Sequence, residues 1–141
     1  MKTIIVTIKP CFLNDIRRGK KTIEIRKTAP EPPFRVLCCE SRSHGRITAE
    51  FVCNSVLPIV VFDNGSIQHW NNHKLERAQI SYEEMASYIG YGKTGYAWQI
   101  TDVIDYCSTK GHRVRNISEF GLKRPPQSWQ YLREEGGTSS E

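Results

Sequence analysis

Apolar residues recur along this chain in two periods, and the switches between them mark its elements. Residues 3–9 alternate well enough for a first strand. Pro10 then suits the first position of a helix, Phe12, Leu13 and Ile16 share one face at helical spacing, and Gly19 supplies the left-handed residue that ends it. Arg17 and Arg18 sit at the negative end of that helix. Period two returns in a strand over 22–27, where Ile23 and Ile25 point one way and Thr22, Glu24 and Arg26 the other. Pro30, Pro32 and Pro33 make the loop that follows.

Residues 35–40 form a third strand, 41–45 a turn, and 46–56 a longer strand whose Ile47, Ala49, Phe51 and Cys53 face the core. The pattern weakens over 57–80: residues 59–62 are strand-like, Asp63 to Ser66 is a turn, and 68–79 is polar with weak helical spacing, so the stretch is expected to be an insertion or a lid. Ser81 and Glu84 then form a capping box, with Met85, Tyr88 and Ile89 on one side of a short helix near residues 81–90 that stops at Gly90. After a flexible loop over 91–95, residues 96–107 alternate as a long strand carrying Trp98, Ile100, Val103 and Ile104. Residues 112–115 read as a strand edge and 118–121 as a helical turn. Pro125 and Pro126 hold the chain extended into 128–131. With no repeat and short strand connections, the order argues for an α+β mixed β-barrel and against a doubly wound parallel sheet.

At 141 residues the chain fits one domain over 1–133, with 134–141 a disordered tail. No apolar run is long enough for a signal or a membrane span, so a cytoplasmic protein is expected. The five cysteines include no Cys-x-x-Cys pair, and Cys38 and Cys39 would point to opposite faces of a strand; reduced, mostly buried thiols are expected. The net charge of +5 is uneven: residues 1–60 carry +6, 61–105 carry −3 and 106–141 carry +2. In a small barrel the two basic ends lie together, giving either a face for a phosphate backbone or merely a solvated surface.

Lys20, Lys21, Glu24 and Arg26 crowd four ionisable groups into one turn and one strand. In a partly apolar cleft, desolvation and a neighbouring cation lower the Lys21 pKa, making Lys21 a proton shuttle with Glu24 as base; the alternative is an Arg26–Glu24 pair bracing the strand. A second constellation, Lys123, Arg124, Pro125, Pro126, Gln127, Ser128, Trp129, Gln130 and Tyr131, offers cations, a hydroxyl and two stacking rings for a single-stranded nucleotide, unless Trp129 and Tyr131 simply finish the core. His69 and His73 are four apart but lack a third ligand, so no metal and no cofactor are expected. Glu83, Glu84, Asp102 and Asp105 read as a solvated acidic side.

The string Gly-x-Lys-Thr-x-Glu-x-Arg at Gly19, Lys21, Thr22, Glu24 and Arg26, with segments 3–9, 45–52 and 118–129, resembles the ASCH domain, a small RNA-linked family of the PUA-like superfamily, over residues 3–132. The resemblance implies a PUA-like barrel, RNA or a nucleotide as partner, and no membrane or obligate protein partner. Lys21, Glu24 and Ser128 would be the catalytic candidates, with Lys20, Thr22, Arg26, Lys123, Arg124, Trp129 and Tyr131 on the nucleic acid. Family members include metal-independent ribonucleases and proteins that resemble acetylcytidine amidohydrolases, which use a Lys, a Thr nucleophile and a distant Glu. Where that Thr would stand, two residues after Thr22, this chain has Glu24, and two residues of strand displace a hydroxyl by about 7 Å. The readings left open are an RNA or nucleotide binder with or without cleavage, a hydrolase of a modified nucleoside, and a non-catalytic interaction module.

Overall fold

The computed structural model describes residues 1–68 and 75–133. Its elements are β1 (Lys2–Ile8), α1 (Pro10–Arg17), β2 (Ile23–Arg26), β3 (Phe34–Glu40), β4 (Arg46–Val61), β5 (Ile67–Gln68), α2 (Tyr82–Ile89), β6 (Thr94–Asp105), β7 (Arg115–Asn116) and β8 (Trp129–Tyr131), with short 3-10 turns at Glu76–Ala78 and Ile117–Phe120. One mixed sheet in the order β2-β6-β4-β3-β1-β8 curls into a half-barrel, with β5 and β7 added along β4. β1 and β3 run parallel; the other pairs are antiparallel. The pairing of β1 with β8 brings the two basic ends of the chain together.

Alternation along each strand divides the apolar side chains between layers. Ile4, Val6, Ile8, Phe34, Val36, Phe51 and Trp98 pack with Leu13 and Ile16 of α1 in the main core. Ile23, Ile25, Ile59 and Val61 meet Met85, Ala86 and Ile89 of α2 in a second layer, and Ile5, Leu37, Ile47, Tyr106 and Ile117 form a third. Ile47, Ala49, Phe51 and Cys53 are all buried, as their spacing requires, whereas Val103 is exposed. The capping box at Ser81 and Glu84 opens α2. All five cysteines are free: Cys38 and Cys53 lie in the main core and Cys39 on the opposite face, while Cys11 and Cys107 are exposed.

Residues 57–61 are not a lid. They continue β4, with Leu57, Pro58 and Ile59 in register opposite Ala97, Tyr96 and Gly95 of β6. Pro58 masks this in the sequence, yet it is tolerated because β3 pairs with β4 only as far as Cys53, which leaves that edge of β4 open at Pro58. The rest of the expected insertion falls partly outside the described residues, as do His69, His73 and the tail 134–141. No helix among the described residues is long and apolar enough to cross a membrane.

The hydrogen-bond ladder ends at β2 on one side and β8 on the other, and side chains span the opening. Arg26 Nη2 donates to Thr7 O at 2.8 Å, and the indole of Trp129 donates to Thr28 Oγ1 at 3.0 Å. This opening at the β2 edge is where the charged residues of the motif collect.

Candidate functional site: a charged cavity at the β2 edge

Backbone geometry delivers the motif to the opening. Gly19, at φ 77°, turns the chain out of α1, and the amides of Lys20 and Lys21 donate to Asp15 O at 2.9 and 3.1 Å. Thr22 is held on both sides, its N–H donating to Arg77 O and its carbonyl accepting from Ile100 N, each at 2.9 Å. The expected two-faced strand therefore has no solvated face. Ile23 and Ile25 turn to α2, while Glu24 and Arg26 turn into the mouth of the half-barrel, and all four are buried.

Lys21, Glu24 and Arg26 form one buried chain of charge, only 2%, 6% and 8% exposed. Lys21 Nζ donates to Ala78 O at 2.6 Å, lies 3.4 Å from Glu24 Oε1, and sits 5.1 Å above the Phe12 ring. Glu24 Oε2 accepts from Arg26 Nε at 2.8 Å. Burial lowers the Lys21 pKa from its ordinary value; Glu24 opposes this and Arg26 adds to it. The Arg26–Glu24 brace expected as the alternative role is thus present, with Lys21 attached to its other end.

These three side chains line a cavity of about 290 Å³. Phe12, Ile8, Ile25 and Ile80 provide apolar and aromatic walls, Thr7, Lys9, Glu84 and Tyr88 complete it, and Lys27 Nζ lies 5.3 Å over the Tyr88 ring. Glu84, expected on a solvated side, is exposed and also lines the cavity, because α2 is folded back over β2.

The second constellation is elsewhere. Lys20, Lys123, Arg124, Ser128 and Trp129 are not among the lining residues, and all but the half-buried Trp129 are exposed. The segment hydrogen-bonds to the lining residue Thr7, whose Oγ1 donates to Pro126 O at 2.8 Å and whose N–H donates to Ser128 O at 3.4 Å. Trp129 packs edge-on against Trp98 and Tyr131, and Lys2 lies 5.2 Å over the Tyr131 ring. Trp129 joins β8 to the loop after β2 through Thr28, while Tyr131 is exposed.

Two further charge networks lie outside the cavity lining. Glu50 accepts from Arg35 Nη2 and from the Tyr106 hydroxyl, both at 2.6 Å. Burial alone would raise the Glu50 pKa, but these hydrogen bonds outweigh it and lower it. Asp105, expected to be solvated, lies 3.3 Å from Arg17 Nε, and Arg17 Nη2 also reaches Glu40 at 3.2 Å. No cluster of three or more metal-ligating side chains occurs among the described residues.

No protein-family model matches the chain, and none of the curated proteins matches it by sequence. Solved structures do match. The crystal structure of ASCH from Zymomonas mobilis superposes with a TM-score of 0.67 at 20% identity, covering 94% of this chain and 89% of that one. Two point mutants of the same protein give a TM-score of 0.66 each, at 19% identity over 94% of this chain and 89% of that one, and at 20% over 95% and 92%. The chain therefore has the ASCH fold, a curled mixed sheet with two helices among the described residues.

Proposed function

We propose that the cavity binds one base-bearing unit, either a free nucleotide or one nucleotide of a single-stranded RNA. One observation carries this reading: a fixed set of charged hydrogen-bonding groups forms the floor of a small cavity with aromatic walls. About 290 Å³ is close to the lower limit of roughly 300–1,000 Å³ typical of small-ligand pockets, which suits one planar group and is far too small for a duplex. Single-stranded RNA is read in this way, with splayed bases stacked on rings and hydrogen-bonded along their edges. Among the described residues, Arg26 spends Nε on Glu24 and Nη2 on Thr7 O, which leaves Nη1 for a ligand. Phe12 and Tyr88 supply the rings.

Calorimetric titration of the four 5′-ribonucleotides into wild type and Tyr88→Ala, at low and moderate salt, tests the proposal. Wild type should bind at least one of them, with affinity about tenfold weaker in Tyr88→Ala, within the range a stacked base contributes. Failure of wild type to bind any would overturn it.

A catalytic role has a different support: Lys21 lines the cavity beside Glu24, and burial there lowers its pKa. An amine that is neutral nearer to pH 7 can take a proton from a water or a ribose hydroxyl, with Arg26 facing the charge that develops. Glu24 Oε1 faces Lys21 Nζ and Glu24 Oε2 accepts from Arg26 Nε, so both of its oxygens are already engaged. Incubation with labelled single-stranded RNA and with a modified nucleoside, chelator present, tests this: turnover lost in Lys21→Ala supports it, and intact substrates with wild type refute it.

A further inference from the structure

Beside the charged cavity lies a second, more open hollow of about 600 Å³, bounded by Lys27, Pro30, Pro32, Val56, Pro58 and Tyr96. Two contacts join it to the first. Arg26, which lines the cavity, and Tyr96, which lines the hollow, are register partners across β2 and β6, so their β-carbons stand about 5 Å apart. Lys27 lines the hollow, yet its ammonium reaches the ring of Tyr88 on the cavity side. A cation thus stands where the two hollows meet, with a second, Arg26, one residue away.

We propose that the hollow takes the neighbouring nucleotide of a single strand whose first base occupies the cavity, with the phosphodiester between them lying against Lys27. This deepens the reading given under Proposed function and rests on it. The spacing of features matches that ligand. The cavity offers base-edge contacts, the junction a positive charge, and the hollow a ring from Tyr96 beside the apolar faces of Pro30, Pro32 and Pro58, on which a base can lie with little sequence preference. Glu31 also lines the hollow and opposes the phosphate, so it limits affinity.

The test compares the homodinucleoside monophosphates ApA, CpC, GpG and UpU with the matching 5′-monophosphates by calorimetry, using wild type, Lys27→Ala and Glu31→Gln. Lys27 and Glu31 are exposed, so neither variant threatens the fold. Wild type should bind at least one dinucleoside monophosphate about tenfold more tightly than its mononucleotide, as a second stacked base permits. Lys27→Ala should remove most of that advantage and Glu31→Gln should enlarge it. Equal affinity for mono- and dinucleotide in wild type, or an advantage untouched by Lys27→Ala, would overturn this inference and leave the single-nucleotide reading standing. Absence of binding to either class would overturn both.

Discussion

Replacing Glu24 by Gln removes one negative charge from between two buried cations. Its oxygens lie 3.4 Å from Lys21 Nζ and 2.8 Å from Arg26 Nε, with all three side chains at most 10% exposed. Breaking a buried pair by removing one partner costs about 3–5 kcal/mol, because the remaining charge stays desolvated. Lys21 can shed its proton to escape; Arg26 cannot. Gln retains an acceptor for Arg26 Nε, which puts the expected loss at the lower end, about 3 kcal/mol, or about 10 °C in Tm for a chain of this size. Urea unfolding followed by tryptophan fluorescence measures it, and an unchanged m-value shows that only stability has moved. Adding Arg26→Met to Glu24→Gln should recover about 1–2 kcal/mol, since the uncompensated cation is gone. A Glu24→Gln protein within about 1 kcal/mol of wild type, well short of that cost, would refute the argument that these charges are buried and mutually dependent.

Three other outcomes follow from the same structure. In the native protein, a thiol reagent should label Cys11 and Cys107 fast and leave Cys38, Cys39 and Cys53 until unfolding, since burial pushes the last two thiols to about 11 and Cys38 higher still; five fast thiols would contradict the packing. Ser81→Ala should cost about 1 kcal/mol in chemical denaturation, because its Oγ accepts from Glu84 N at the start of α2. Because the folded-state pKa of Glu50 is lowered, its stabilisation is present above the ordinary value of about 4.3 and fades as pH falls through the folded value; the stability gap between wild type and Glu50→Gln should therefore close in acid, and a gap constant with pH would refute this.

What the sequence could reveal was whatever local spacing encodes. The capping box at Ser81, the left-handed Gly19 and the alternation from Ile47 to Cys53 are each a matter of a few adjacent residues, and each is found in the structure. The continuation of β4 through Val61 was hidden because Pro58 interrupts the pattern, and only the retreat of β3 at Cys53 makes that proline harmless. Lys21, Glu24 and Arg26 were legible as a cluster, but the walls around them were not. Phe12 read as an ordinary core position of a helix, Tyr88 as part of an amphipathic face and Glu84 as surface, and they meet only because α1 and α2 flank the β2 edge. The Arg17–Asp105 and Glu50–Tyr106 contacts join residues far apart in the chain, for which no local pattern exists. Conversely, the cations, prolines and rings of the Lys123–Tyr131 stretch resemble a binding segment, yet Trp129 is used to close the seam at Thr28.

The central claim is that the cavity floored by Lys21, Glu24 and Arg26 is where a nucleotide binds. Its most direct test is a ¹⁵N–¹H chemical-shift titration of the protein with the four 5′-ribonucleotides. The account predicts that, for at least one of them, the amides of Thr7, Phe12, Glu24, Arg26, Glu84 and Tyr88 shift together along one saturable curve. Saturable shifts confined to Arg113–Arg124, or no shifts with any of the four, would contradict it.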